Sequence, residues 1–186
     1  MILYLHGFRS SPRSTKARLI EARLAERGVP DYRCPQLPVS PREAARVIEE
    51  IAEQRTAPLS IIGSSLGGYY ATWIAERVDC RVALLNPAIH PERDLARHLG
   101  VQPVYHSDET VDIRPEFLDE LKALRAGAVT RPERYLLVAA TGDEVLDWRE
   151  MIERYPDVQQ RVIDGSDHGL SDFTEHIDDV IDFVTR

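Results

Sequence analysis

A serine set between closely spaced glycines is the part of the sequence with the clearest chemistry. The segment Gly63-Ser64-Ser65-Leu66-Gly67 fits the pattern G-x-S-x-G with Ser65 at its centre. This pattern is typical of a sharp turn from a strand into a helix, where the central residue is strained and its hydroxyl is exposed. The residues two before and two after it lie close to neighbouring backbone, so glycine suits both positions. Ser64 does not fit the centre, because Ile62 and Leu66 would then occupy the glycine positions. Ser65 is therefore the predicted nucleophile.

A serine hydroxyl is a weak nucleophile that needs a base, and the base needs an acid to orient it. In folds with this turn the chain order is serine, then aspartate or glutamate, then histidine. Asp143 follows the apolar run 135–140, and His168 follows the apolar run 160–163. We predict that His168 is the base and Asp143 is the acid. Both are expected at the same edge of the sheet as Ser65, where open α/β folds place their ligands.

Other acids and histidines compete for these roles. Glu144 and Asp147 are alternative acids, although Asp147 falls about one helical turn later and fits better as a helix N-cap. His176 has acidic neighbours on a terminal helix and is interpreted as part of a solvated face. Three further histidines lie in a long connection between strands: His90, His98 and His106.

The backbone is also predicted to contribute to the site. The segment His6-Gly7-Phe8 follows the first strand, and a His-Gly pair is typical of the loop that supplies one N–H group to an oxyanion hole. By position, the oxyanion hole is predicted to consist of the backbone N–H groups of Phe8 and Leu66. His6 itself is interpreted as structural, since His168 already fits the position of the base. The sequence contains neither metal-ligand spacing nor a dinucleotide-binding glycine motif, so no metal and no cofactor are expected.

Short apolar runs that alternate with amphipathic stretches must position these residues. The runs predict six strands, at residues 2–6, 31–34, 59–62, 81–85, 135–140 and 160–163. The amphipathic stretches predict helices at 13–27, 42–55, 66–78, 147–155 and 172–185. Such alternation implies parallel strands joined by helical crossovers. The predicted fold class is therefore α/β: a three-layer α/β/α sandwich with a mainly parallel six-stranded sheet, in a single domain over residues 1–186.

One connection is longer than a single helix requires. Residues 87–132 separate two consecutive strands, contain several prolines and show helical patches near 91–99 and 115–125. Loops of this length inside a compact domain are usually functional. We expect a small lid-like insertion or pocket wall, and the alternative is one covering helix with irregular connections.

Composition and charge exclude several classes of partner. The 186 residues carry a formal net charge of −8, which argues against binding to nucleic acid or to anionic lipid. The densest basic stretch, residues 9–23, is interpreted as a solvated helix face. The N-terminal apolar run lacks a basic lead and is too short for a signal peptide, and no run approaches the length of a membrane span. We expect a cytoplasmic protein with a small-molecule partner.

Several segments together resemble the YqiA-type bacterial esterases, a small branch of the α/β hydrolases. They are Leu3-Tyr-Leu-His-Gly-Phe-Arg-Ser-Ser-Pro12, Ile62-Gly-Ser-Ser-Leu-Gly-Gly-Tyr-Tyr-Ala-Thr-Trp73, Asn86-Pro-Ala88, Thr141-Gly-Asp-Glu-Val-Leu-Asp147 and the loop around His168. The resemblance covers nearly the whole chain and implies a minimal α/β-hydrolase fold. It also implies that Ser65, Asp143 and His168 form a catalytic triad that hydrolyses short-chain carboxylic or thioester acyl groups. The loop Gly165-Ser-Asp-His-Gly169 departs from the family, which tends to have a second glycine, an asparagine and then His-Ala-Phe.

The predicted function is that of a serine esterase that hydrolyses short-chain acyl esters through an acyl-enzyme on Ser65. One alternative is an acyl-CoA thioesterase. Binding of CoA would favour a cluster of basic residues near the pocket, and the acidic chain shows no obvious cluster of this kind. The other alternative is a non-catalytic ligand-binding protein with a hydrolase fold, since a fold alone does not imply catalysis.

Overall fold

A computed structural model describes residues 1–105 and 109–186 of the chain, so that His106 lies outside the described residues. Eight strands occur in the described ranges: β1 Ile2–Leu5, β2 Tyr32–Arg33, β3 Leu59–Ser64, β4 Cys80–Leu85, β5 Gly100–Pro103, β6 Thr110–Ile113, β7 Tyr135–Ala140 and β8 Gln159–Ile163. Six of them form one sheet in the order β2-β1-β3-β4-β7-β8. Neighbouring strands in this sheet are all parallel. The predicted parallel six-stranded sheet is confirmed.

Seven α-helices lie in the same ranges: α1 Thr15–Glu26, α2 Pro41–Glu53, α3 Leu66–Ala75, α4 Pro91–Leu95, α5 Glu116–Ala123, α6 Trp148–Arg154 and α7 Ile177–Thr185. Side-chain caps fix several of their starts. Ser14 accepts a hydrogen bond from the Ala17 N–H, and Ser40 accepts one from the Glu43 N–H. Such caps satisfy N–H groups that have no partner inside the helix. The predicted terminal helix is interrupted, because residues 173–175 form a 3₁₀ turn before α7 begins.

The sheet separates two apolar layers, because successive side chains along a strand point to opposite faces. In β1, Leu3 and Leu5 pack on one face, together with buried side chains of α2, α3, α5 and α6. Ile2 and Tyr4 pack on the other face, against α1 and α7. The helices therefore cover both faces of the sheet, and the predicted α/β/α sandwich is confirmed.

The long connection between β4 and β7 contains more secondary structure than the sequence predicted. Helices α4 and α5 match the two helical patches, and the side chains of Phe117 and Leu121 in α5 are buried in the core. Between them, β5 and β6 form a two-stranded antiparallel sheet that was not predicted. These strands are short and only partly buried, with Pro103 at the end of β5, and they lack the continuous apolar run that marks the central strands. The lid-like role of the connection stays a prediction.

None of the helices in the described residues has the length and hydropathy needed to span a membrane.

Candidate active site

Ser65 lies at the sharp turn between β3 and α3, at the carboxyl edge of the sheet. Its φ of 54° and ψ of −121° are strained for a residue with a side chain. A Cβ atom on Gly63 would lie 2.5 Å from the Gly67 carbonyl oxygen, and one on Gly67 would lie 1.9 Å from the Leu5 carbonyl oxygen. Only glycine fits at these two positions, which is the steric requirement that the sequence pattern implied. The turn therefore holds the Ser65 hydroxyl above the sheet.

The structure brings Ser65, His168 and Asp143 into one chain of hydrogen bonds. The Nε2 atom of His168 lies 3.0 Å from the Ser65 Oγ atom, and its Nδ1 atom lies 2.8 Å from the Asp143 Oδ2 atom. A carboxylate only accepts hydrogen bonds, so Nδ1 carries the proton and Nε2 is free to accept one from the hydroxyl. The Asp143 side chain is fully buried and that of His168 is 21% exposed. This geometry allows the transfer of a proton from Ser65 to His168.

The carboxylate of Asp143 is fixed by its own loop. Its Oδ1 atom accepts hydrogen bonds from the N–H groups of Val145 and Leu146, both at 2.8 Å. The alternative acids have other contacts. Glu144 accepts a hydrogen bond from the backbone N–H of His168 at 3.0 Å, and Asp147 caps α6 through the Arg149 N–H. The structure therefore places Asp143 at the imidazole ring, while Asp147 is the helix cap that the sequence predicted.

The predicted oxyanion groups come from the loop after β1 and from the start of α3. Leu66 is the first residue of α3, so its N–H group has no acceptor within the helix. The β1 loop runs beside the nucleophile, since a Cβ atom on Gly7 would lie 3.6 Å from the Ser65 Oγ atom. The next residue in that loop is Phe8. The assignment of the Phe8 and Leu66 N–H groups to an oxyanion hole stays a prediction that this placement permits.

His6 connects the β1 loop to a neighbouring segment. Its side chain is buried, its Nδ1 atom lies 3.0 Å from the Gly7 carbonyl oxygen, and its Nε2 atom accepts a hydrogen bond from the Leu37 N–H at 3.1 Å. Because Nε2 accepts, Nδ1 carries the proton and donates. Burial lowers the pKa of His6, so its imidazole is neutral at pH 7. These contacts match the structural role that the sequence indicated.

Asn86 is a site residue whose role the sequence did not reveal. It follows β4, is 1% exposed and has a φ of 42°. Its Nδ2 atom donates to the carbonyl oxygens of Asp167 and His168 at 3.1 and 3.2 Å, and its Oδ1 atom accepts from the Ala140 N–H at 2.8 Å. One buried amide therefore joins the end of β7, which precedes Asp143, to the loop that carries His168. A polar residue directly after a buried strand was the available signal.

Lys16 corrects the interpretation of residues 9–23 as a solvated face. It lies in the first turn of α1 and donates from its Nζ atom to the Gly169 carbonyl oxygen at 2.5 Å. Burial lowers the pKa of Lys16 to about 8, although the nearby carboxylates of Asp167 and Asp143 oppose this shift. Lys16 therefore packs against the loop of His168 and faces two carboxylates of the site.

The interpretation of His176 as solvated is wrong. Its side chain is only 15% exposed and its Nε2 atom lies 3.6 Å from the Asp172 Oδ2 atom. Within the described residues, neither ring nitrogen of His176 has a hydrogen-bond partner. The ring turns toward the loop 166–172 instead of toward solvent.

No group of three or more histidine, cysteine, aspartate or glutamate side chains in the described ranges is placed to hold a metal ion.

Comparisons with known proteins agree with the fold and with the sequence motifs. The family model of the uncharacterised protein family UPF0227 matches residues 1–185. A UPF0227 protein of Yersinia pseudotuberculosis is 23% identical over 195 residues, covering 100% of this chain and 99% of that protein. A putative hydrolase from Agrobacterium vitis superimposes with a TM-score of 0.75 at 17% identity, over 98% of this chain and 87% of the other. A putative hydrolase of the α/β superfamily from Xanthomonas campestris gives a TM-score of 0.66 at 21% identity, over 99% of this chain and 95% of the other. The chain therefore has the α/β-hydrolase fold.

Proposed function

The chain belongs to the UPF0227 family, the YqiA-type family that its motifs resemble, and on this premise we propose that it is a serine esterase. The proposed reaction is the hydrolysis of short-chain carboxylic esters through an acyl-enzyme on Ser65. One observation carries the proposal: a strained serine at a strand-to-helix turn is hydrogen-bonded to a histidine, which is in turn hydrogen-bonded to a buried aspartate.

The first half of the reaction forms the acyl-enzyme. His168 takes the proton from the Ser65 hydroxyl as the oxygen attacks the ester carbonyl. The carbonyl oxygen becomes an oxyanion, which the N–H groups of Phe8 and Leu66 are proposed to hold. Each such donor is worth about 2.7–4 kcal/mol to the transition state. His168 then gives its proton to the leaving alcohol, and the acyl group stays on Ser65.

The second half repeats the same steps with water. His168 takes a proton from a water molecule that attacks the acyl-enzyme, and then returns it to the Ser65 oxygen as the carboxylic acid leaves. Asp143 keeps the Nδ1 proton in place throughout, so that Nε2 always faces the reacting atoms. The buried carboxylate also stabilises the imidazolium that forms in each half.

This constellation favours an enzyme over a non-catalytic binding protein. A binding protein has no need of a strained φ and ψ at Ser65, which cost about 1–3 kcal/mol unless the surrounding structure imposes them. The proposed partner is accordingly a small ester molecule, and the proposed location remains the cytoplasm. The thioesterase alternative uses the same three residues, so substrate rates must separate it from the esterase.

The proposal is tested by the hydrolysis of p-nitrophenyl acetate and p-nitrophenyl butyrate, each beside its matched thioester. We expect faster turnover of the oxygen esters by the wild-type chain and a loss of turnover in Ser65→Ala. Ser64→Ala is the matched control, because Ser64 is the neighbouring serine and is buried away from the turn's centre. Faster thioester turnover would favour the thioesterase. Equal activity of Ser65→Ala and the wild type would exclude Ser65 as the nucleophile.

A further inference from the structure

A cavity of about 590 Å³ lies on the side of the β1 loop, and its lining includes Gly7 and Leu66, which neighbour Ser65. Gly7, Phe8 and Leu66 form the wall nearest to the nucleophile, and Leu37, Tyr70 and Val111 are among its apolar lining residues. A substrate bound there would have its ester carbonyl close to the proposed oxyanion groups. The polar residues of this cavity therefore bear on which esters the site accepts.

Two arginines are among the described residues that line the cavity, although the chain as a whole carries a net charge of −8. They are Arg9 and Arg13, and Glu109 is the one acidic residue among the described lining residues. His6 also lines the cavity but is neutral at pH 7, because burial lowers its pKa. The described lining thus carries a net positive charge in a cavity whose wall includes the neighbours of Ser65, and partial burial strengthens the interaction of such a charge with an anion.

The guanidinium of Arg9 contacts two aromatic rings. Its central carbon lies 4.4 Å from the centre of the Tyr105 ring and 5.8 Å from that of Phe8. Its Nη1 atom donates to the Gln102 side chain at 3.3 Å, and its backbone carbonyl accepts from the Tyr105 N–H at 3.0 Å. A guanidinium that stacks on an aromatic ring keeps its N–H groups in the plane, which is the geometry that carboxylate and phosphate oxygens accept.

Arg9 also has donor capacity that no contact with the described part of the chain uses. Its Nε atom is buried and lacks a hydrogen-bond partner among the described residues. An arginine has five N–H donors, and a buried donor left unpaired is costly. Its φ of 58° is a further strain, in the loop that follows the proposed oxyanion residue Phe8. The contacts with the described residues therefore do not exhaust the donor capacity of this guanidinium.

Resting on the proposed esterase function, we propose that Arg9 binds an anionic group of the substrate, so that the preferred substrates are esters that carry a carboxylate or phosphate. The anion can belong to the acyl part or to the leaving group, and the chemistry of recognition is the same for both. Hydrolysis itself is unchanged, with water consumed and an acid and an alcohol released. This selectivity would distinguish the site from that of an esterase for neutral acyl chains.

The test compares charged and neutral esters of matched size. On the acyl side, the mono-p-nitrophenyl ester of glutaric acid is compared with p-nitrophenyl pentanoate. On the leaving-group side, 4-acetoxybenzoate is compared with its methyl ester. A charge-assisted hydrogen bond predicts that kcat/KM for the anionic member of one pair exceeds that of the neutral member by about 10- to 100-fold. The pair that shows this preference identifies which part of the substrate carries the anion.

Variants then assign the preference to one residue. Arg9→Met should reduce the preference, taken as the ratio of kcat/KM for the anionic ester to that for the neutral ester, to about 1, and Arg9→Lys should retain only part of it. Arg18→Met is the matched control, because Arg18 is an exposed arginine of α1 that does not line the cavity. Equal kcat/KM values for both members of each pair in the wild type would overturn the proposal. An undiminished preference for the anionic ester in folded Arg9→Met would also overturn it. If neither pair is hydrolysed, the esterase function fails first and the proposal fails with it.

Discussion

The replacement of Asp143 by asparagine should inactivate the site while leaving the fold intact. The side-chain oxygen of an asparagine can still accept the N–H groups of Val145 and Leu146, which now bond to the Oδ1 atom of Asp143. Its amide nitrogen would then face the Nδ1 atom of His168, where Oδ2 now lies at 2.8 Å. Because the amide donates, Nδ1 must accept, and the proton moves to Nε2. His168 would then present an N–H group to Ser65 and could not take the proton of the hydroxyl.

The size of both effects follows from these contacts. In the Ser-His-Asp mechanism, the wrong histidine tautomer lowers kcat by about 10⁴-fold, which corresponds to about 5 kcal/mol of transition-state stabilisation. The loss of stability is smaller, because two of the three hydrogen bonds keep their geometry. Replacing a charged acceptor by a neutral one costs about 1 kcal/mol per bond, so we expect about 2 kcal/mol.

The assay measures kcat on p-nitrophenyl acetate for the wild type, Asp143→Asn and Glu144→Gln, with thermal unfolding of each as the measure of stability. Glu144→Gln is the matched control, since Glu144 contacts the backbone N–H of His168 and not its ring. We expect a loss of kcat of about 10⁴-fold in Asp143→Asn and a much smaller loss in the control. A kcat within tenfold of the wild type in Asp143→Asn would refute the tautomer argument.

Gly67→Ala should lower the free energy of unfolding by at least about 3 kcal/mol, because the new Cβ atom would lie 1.9 Å from the Leu5 carbonyl oxygen. Gly127→Ala is the control, since its Cβ atom would meet nothing within 4 Å, and it should leave the melting temperature nearly unchanged. Asn86→Leu should cost about 1–3 kcal/mol of stability, because it leaves the buried Ala140 N–H without its acceptor, and it should lower kcat/KM by about 10-fold or more. Unchanged kinetics in a folded variant would show that the Asn86 amide does not position the loop of His168. Burial lowers the pKa of His6 in the folded chain, whereas an unfolded histidine titrates near pH 6.5, so the stability that neutral His6 provides is complete above about pH 6.5 and is lost as the pH falls through the lower folded pKa. Between pH 7 and pH 5, chemical unfolding should therefore show a steeper loss of unfolding free energy in the wild type than in His6→Gln. Identical pH slopes in the two chains would contradict the role of burial.

The sequence predicted those parts of the fold that depend on local pattern. Central strands such as β7 are continuously apolar and buried on both faces, so their runs are visible without any partner. The strand-to-helix turn was predictable for a steric reason, because the positions of Gly63 and Gly67 admit no Cβ atom. Asp143 and His168 could be proposed because each directly follows a strand, and parallel strands end at one edge of the sheet.

The parts that were missed depend on contacts between distant segments. Lys16 reaches the Gly169 carbonyl oxygen across 153 residues of sequence, and Asn86 reaches the carbonyl of Asp167 across 81. The lysine leaves no local signal, because a lysine in an amphipathic helix is ordinary. The polar residue after β4 draws attention to Asn86, but the sequence does not reveal which segments its amide joins. The strands β5 and β6 were missed for a different reason, since they are short, lack a continuous apolar run and pair with each other outside the central sheet.

The central claim is that Ser65 is an activated nucleophile, and covalent labelling with a fluorophosphonate tests it most directly. The modified residue is located by mass spectrometry in the wild type, Ser65→Ala, His168→Ala and Ser64→Ala. We predict one adduct, on Ser65, which is absent in Ser65→Ala, strongly reduced in His168→Ala and retained in Ser64→Ala. A folded wild-type chain that forms no adduct, or that forms it on Ser64, would contradict the assignment of Ser65 and with it the proposed mechanism.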